Sequence, residues 1–166
     1  MVPGLFDTSA ESWLHHNAAS VKVQQWLDTY LARHEMQMSA ITVLERVRGY
    51  ARLSRFRERE AYLQTLGRVW PVDTGVTMAA AEILALAPEP PSPPRRTPRM
   101  VESRAGRLSR WRFEVMIAST ALVTGMPLMH DNAVDFEAVR SVVERTPERF
   151  PGVGSLGLIR VGRVLA

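Results

Sequence analysis

The sequence predicts an α/β fold with a mainly parallel sheet and helices on both faces. Two observations carry this. Short apolar segments alternate with amphipathic helical stretches along nearly the whole chain. Several of those stretches open on a residue suited to capping, such as Ser39, Asp73 or Asp135. The alternation is broken once, by a proline-rich stretch, and resumes after it. The 166 residues suit one domain, 1–166, with an exposed Pro/Arg-rich loop at 88–111.

Residues 4–7, GLFD, read as a short strand ending in Asp7. Residues 18–33 read as a helix, because Val23, Trp26, Leu27, Tyr30 and Leu31 fall on one face. MQM at 36–38 reads as a strand, and Ser39 as the N-cap of a helix through ITVLERVRGY. An arginine-rich helix follows over 54–67. RVWPVD at 68–73 has the makeup of a strand, with Pro71 hinting at a sheet edge. Asp73 can cap a helix over 75–87, whose apolar face holds Val76, Ala79, Ala80, Ile83 and Leu84. APEPPSPPRRTPR at 87–99 can be neither helix nor central strand. Beyond it come an apolar helix over 112–124 ending near Gly125 and a buried strand, PLMH, at 127–130. A helix over 135–145 with Asp135 near its start follows, and LGLIRVGRVL at 156–165 reads as a last strand.

Composition narrows the function classes. The chain has no cysteine, which excludes disulfides and thiolate metal sites. The N-terminal stretch lacks the basic and apolar regions of a signal peptide. The longest apolar run, 115–129, is too short for a membrane span and is broken by Gly125 and Pro127. A soluble cytoplasmic protein is expected. The formal net charge is +4, and Lys22 is the only lysine. Arginine crowds 46–59 and 95–112. Arginine forks suit phosphate oxygens, which makes nucleic acid a candidate partner; solvated helix faces are the plainer reading. There is no GxGxxG or GKS/T phosphate loop.

In an open parallel sheet, function gathers beyond the carboxyl ends of the strands. Asp7 ends the first strand, and Glu45 lies in the helix after the second. Glu114 starts the helix before the 127–130 strand, and Asp131, Asn132 and Asp135 follow that strand in HDNAVDF. Two carboxylates ~4 Å apart repel by about 4 kcal/mol at an effective dielectric of about 20. Protonation or a bound cation relieves that. Oxygen ligands without histidine or cysteine point to Mg²⁺ or Mn²⁺, and such an ion suits phosphodiester hydrolysis.

FDTSAE at 6–11, ITVLERVRG at 41–49 and FEVMIASTALVTGMPLMHDNAVDF at 113–136 resemble the PIN-domain family, and within it the VapC-type toxins of toxin–antitoxin pairs. The match spans nearly the whole chain in the right order. The resemblance implies a three-layer α/β/α fold and a Mg²⁺- or Mn²⁺-dependent ribonuclease. It also implies RNA as substrate, a cognate antitoxin and a homodimer. Asp7, Glu45, Glu114 and Asp135 would be the catalytic acids, with Asp7, Glu114 and Asp135 on the metal. Ser9, Asn132 and Asp131 would support them. Position 114 is Glu where the family usually has Asp, and His130 stands where Thr is common. The 88–111 loop and the tail after 145 are longer than usual.

Each residue also has a plainer reading. Asp7 can cap a turn before Ser9. Glu45 can pair with Arg48 or Arg52 on a helix surface. Glu114 can answer a helix dipole, and Asp135 can be an N-cap while also ligating. Trp13, Trp26, Trp70 and Trp111 read as core or interface. Arg95, Arg96, Arg99, Arg104, Arg107 and Arg110 could track an RNA backbone or bind an acidic antitoxin tail.

Overall fold

The structure is a computed structural model and describes residues 1–165. The chain runs β1 (Leu5–Phe6), α1 (Thr8–His16), α2 (Val21–Leu31), β2 (Gln37–Ser39), α3 (Ala40–Arg52), α4 (Phe56–Thr65) and β3 (Arg68–Trp70). It continues with α5 (Thr74–Leu86), α6 (Arg104–Thr124), β4 (Leu128–His130), α7 (Ala133–Arg145), β5 (Leu158–Arg160) and α8 (Val161–Leu165).

The sheet has five strands in the order β3-β2-β1-β4-β5, and every pairing is parallel. The α/β class expected from the sequence is therefore present. Side chains alternate across a strand, and here neighbours feed two separate cores. Leu5 and Leu128 enter one with α5, α6 and α7 residues such as Ile83, Trp111, Ile117 and Phe136. Phe6 and Met129 enter the other with Leu14 of α1, Val23 and Tyr30 of α2, and Val161 and Leu165 of α8. Helices on both faces make three layers.

The strand order places the site. From β1 the chain moves outward through β2 to β3, then returns to lay β4 on the other side of β1. The carboxyl ends of β1 and β4 thus flank the topological switch point, where parallel sheets leave a crevice. Asp7 follows β1 there, and Asp131 and Asn132 follow β4.

Several expected elements are corrected. Thr8–His16 forms a helix that apolar periodicity did not announce, since only Ala10 and Leu14 of it are buried. The helix expected over 112–124 begins at Arg104, where the Ser103 hydroxyl accepts from the Gly106 N–H at 3.0 Å. It ends as expected: Gly125 sits at φ +68°, and its N–H reaches the carbonyls of Ala121 and Leu122. The strand expected over 156–165 is only Leu158–Arg160, and Val161–Leu165 turns into a helix whose Val161 and Leu165 are buried. The helix expected from Asp135 begins at Ala133, with Asn132 in the cap position and Asp135 inside its first turn. Ser39 and Asp73 cap α3 and α5 as expected, accepting from Ile41 N–H at 3.2 Å and Val76 N–H at 2.9 Å. β3, followed by Pro71, is an edge strand. No helix among the described residues is long and apolar enough to cross a membrane.

Candidate active site

A cleft of about 410 Å³ opens at the switch point. Asp7, Glu45, Glu114, Asp131 and Asn132 line it, with Ser12, Trp13 and His16 of α1 on one wall and Arg95 and Arg110 on the other. The sequence placed these acids at one edge, and the fold brings them to one cleft.

Asp7 is the N-cap of α1. Its carboxylate accepts from the Ala10 N–H at 2.7 Å, so capping and a place in the site coexist. The Ser9 hydroxyl lies 2.9 and 2.8 Å from the two Asp7 oxygens. The same hydroxyl accepts from the Asp131 N–H at 2.8 Å. Ser9 therefore ties the end of β1 to the end of β4. Asp7 is 4% exposed. Burial outweighs its hydrogen bonds and, with a smaller push from the Glu45 charge, raises its pKa to about 7.

Glu45 sits in α3 and accepts a hydrogen bond from the Thr8 hydroxyl. It does not form the surface pair with Arg48 or Arg52 open to it from the sequence. Thr8 was not foreseen as part of the site; its place between Asp7 and Ser9 was the available signal.

Glu114 lies on the buried face of α6, one turn after Arg110. Asn132 Nδ2 donates to its Oε1 at 2.8 Å, while its buried Oε2 has no hydrogen-bond partner. Arg110 Nη1 stands 3.5 Å from that Oε2, and Arg95 Nη2 is 4.0 Å from Oε1. Burial and then the Asp135 charge push the Glu114 pKa up to about 8, over the opposing arginines.

Asp135 stands behind the cleft wall and is fully buried. Its Oδ2 accepts from Ser92 Oγ at 2.9 Å, Arg110 Nη1 at 3.0 Å and Asn132 Nδ2 at 3.1 Å, and its Oδ1 from Ser92 N–H at 3.2 Å. Burial alone would raise its pKa, but the hydrogen bonds outweigh burial and hold it below the ordinary aspartate value. Asn132 and Asp131 face the cleft; Asp135, expected among the acids on the metal, does not line it and bonds to Asn132 behind the wall. Arg160 Nε donates to Asp131 Oδ1 at 3.0 Å.

The proline-rich segment folds back on the site. Thr97 N–H to Met100 O at 2.9 Å, Glu102 N–H to Arg95 O at 2.8 Å and an antiparallel bridge between Arg96 and Val101 make a small hairpin. Its end delivers Glu102 to Arg110, whose Nε and Nη2 donate to the two carboxylate oxygens at 3.0 Å each. This holds the Glu102 pKa down at about 2. Arg107 donates to the carbonyls of Ser92 at 3.0 Å and Pro90 at 2.6 Å. Arg107 and Arg110, named with the RNA-facing arginines, thus turn inward. Arg104 pairs with Glu89 at 2.9 Å. Arg95, Arg96 and Arg99 are exposed, and Arg95 stands at the cleft mouth. Ser92 and Glu102 carried no motif that could have marked them. Of the tryptophans, Trp111 is core as expected, whereas Trp13 lines the cleft.

The donor chemistry suits a hard divalent cation. The donors are oxygens, two of the acids hold protons into the neutral range, and a buried Glu114 oxygen accepts no hydrogen bond. Among the described residues no three His, Asp or Glu side chains form a ready ligand set. Glu45 is drawn to Thr8, and Glu114 to Asn132.

No protein-family model matches the sequence. No curated protein matches it either. Solved structures do resemble it. A chain of VapBC2 from Rickettsia felis, bound to a DNA fragment from their promoter, aligns with a TM-score of 0.57 at 13% identity, over 96% of this chain and 98% of that one. A chain of DNA-bound VapBC from Salmonella typhimurium gives 0.58 at 19% identity, over 96% and 98%. A chain of VapBC-1 from nontypeable Haemophilus influenzae gives 0.61 at 15% identity, again over 96% and 98%. At such identities the likeness shows the fold: the chain has the α/β, PIN-like architecture that the sequence resemblance implied.

Proposed function

We propose that the chain is a Mg²⁺- or Mn²⁺-dependent endoribonuclease, the toxin of a VapBC-type toxin–antitoxin pair. One observation carries this reading. Asp7, Glu45, Glu114 and Asn132 come from separate segments and line one cleft at the switch point, with a Glu114 oxygen buried there that no hydrogen bond satisfies. Asp7, Glu45 and Glu114 would hold the ion, with Asn132 or Asp131 beside them. When bound, the ion supplies charge to a phosphoryl oxygen and lowers the pKa of a bound water. The chain's own residues do the rest. Ser9 holds Asp7 to the end of β4, Asn132 holds Glu114 to Asp135, and Arg95 at the mouth can meet a phosphate. The likeness to chains of VapBC complexes supports a cognate antitoxin. A homodimer and a cytoplasmic setting belong to the same proposal.

RNA cleavage with Mn²⁺ by the wild type and by Asp7→Asn tests the reading. An inert wild type, or an Asn variant that cuts equally well, overturns it.

A second reading is a PIN-like domain that binds RNA or a protein without cutting. The arginine seated among the acids favours it. Absence of any Mn²⁺-induced rise in Tm, together with retained RNA binding, would select it.

A further inference from the structure

We propose that Arg110 stands in for a second cation, so that the acid cluster takes one divalent ion and not two. This rests on the nuclease reading above. Sites with two ions place them about 3.5–4 Å apart and bridge them with shared carboxylates. Here the pair that could bridge is Glu114, which lines the cleft, and Asp135, buried just behind its wall. Arg110 Nη1 already spans it, at 3.5 Å from Glu114 Oε2 and 3.0 Å from Asp135 Oδ2.

The arginine is fixed there. Its side chain is 9% exposed, and its other two nitrogens, Nε and Nη2, donate to Glu102. A guanidinium does not release its proton in a protein, so an incoming cation cannot displace its charge by deprotonating it. Asp135 has little left to offer an ion. Oδ2 accepts from Ser92, Arg110 and Asn132, and Oδ1 from the Ser92 backbone. Each of those donors occupies a lone-pair direction that a metal would need. The acids that remain are Asp7, Glu45 and the Oε2 side of Glu114. Arg95 also approaches Glu114, but at 4.0 Å and with its side chain 67% exposed it is screened by water and free to swing away.

The hairpin gains a role from this. Glu102 sits at its end and sets the angle of Arg110, so the proline-rich segment indirectly decides how many ions the cleft accepts. The length of 88–103 is then part of the site rather than decoration.

Mn²⁺ titration of the full chain, followed by calorimetry and electron paramagnetic resonance, tests the idea. Wild type is expected to bind one Mn²⁺ per chain with the spectrum of an isolated ion. Arg110→Met, checked for folding by circular dichroism, is expected to take up a second, spin-coupled Mn²⁺. If the single variant does not fold, Arg110→Met combined with Glu102→Gln removes the charge and its clamp together and gives the same readout. Two coupled ions in wild type overturn the proposal and leave the nuclease reading standing. No ion in wild type overturns the metal reading and this proposal with it. A single ion in both wild type and the Arg110 variants also overturns the proposal, because the arginine is then not what limits the count.

Discussion

The Ser9 hydroxyl accepts the backbone N–H of Asp131, 122 residues away, at 2.8 Å while bonding to both oxygens of Asp7. One small side chain joins the ends of β1 and β4 and orients an acid between them. Ser9→Ala leaves the Asp131 N–H and one face of Asp7 without a partner. The expected cost is about 1–3 kcal/mol, read as a lower denaturant midpoint, with RNA cleavage falling further than stability does.

Asp7 gives a pH dependence with a definite sign. Its folded pKa of about 7 lies above the ordinary 3.8, so the folded chain keeps a proton that the unfolded chain has lost. That stabilisation is complete below the ordinary value and disappears as pH rises to about 7. Asp7→Asn still caps α1 but cannot ionise. Its Tm at about pH 8 is expected to exceed that of metal-free wild type, by roughly 2–4 kcal/mol of stability. If the chain binds the ion as proposed, Mn²⁺ is expected to raise the wild-type Tm at that pH and to leave the variant's nearly unchanged; equal responses would remove Asp7 from the ion.

His130 behaves in the opposite sense. Burial, outweighing the Asp131 charge, lowers its pKa from 6.5 to about 4. The unfolded chain then binds the extra proton. Stability present above pH 6.5 is lost as pH falls toward 4. The ring lies edge-on to Phe136 at 5.4 Å, so an apolar replacement can fill the same space. His130→Leu is expected to flatten the acid limb of a Tm-versus-pH curve by roughly 2–3 kcal/mol.

The arginines divide into two groups with different expected phenotypes. Arg96→Ala and Arg99→Ala, on the exposed hairpin, should weaken RNA binding and lower its salt slope by about 0.7 for each phosphate left unneutralised. Arg107→Ala removes donors from two backbone carbonyls. It should instead lower the unfolding midpoint by about 1–3 kcal/mol of stability. Filter binding across salt concentrations and a denaturation curve separate the two.

Much of this was legible because strand and helix periods differ. The apolar pairs of β1 and β4, the caps at Ser39 and Asp73 and the stop at Gly125 follow from local chemistry. The acids could be placed at one edge because parallel strands put their following residues there. What escaped was tertiary. α1 hides because its N-cap is also a site acid and its outer face lines the cleft. The first two turns of α6 read as loop because their arginines are directed at Glu102, Asp135 and carbonyls of a proline-rich segment that no period describes. Asp135 read as a metal-binding acid that could also cap a helix for the same reason: nothing near it in sequence reveals that Ser92 and Arg110 enclose it.

The strand order also sets a timetable for synthesis. β1 is made first but sits mid-sheet, and its neighbour β4 is Leu128–His130. Until the ribosome has released those late residues, one edge of β1 stays open and Ser9 has no Asp131 to hold. The cleft cannot close around Asp7 in a nascent chain. If the chain is the nuclease proposed above, it would have no assembled cleft with which to cut the message or the ribosome producing it until the residues through Asp131 had emerged.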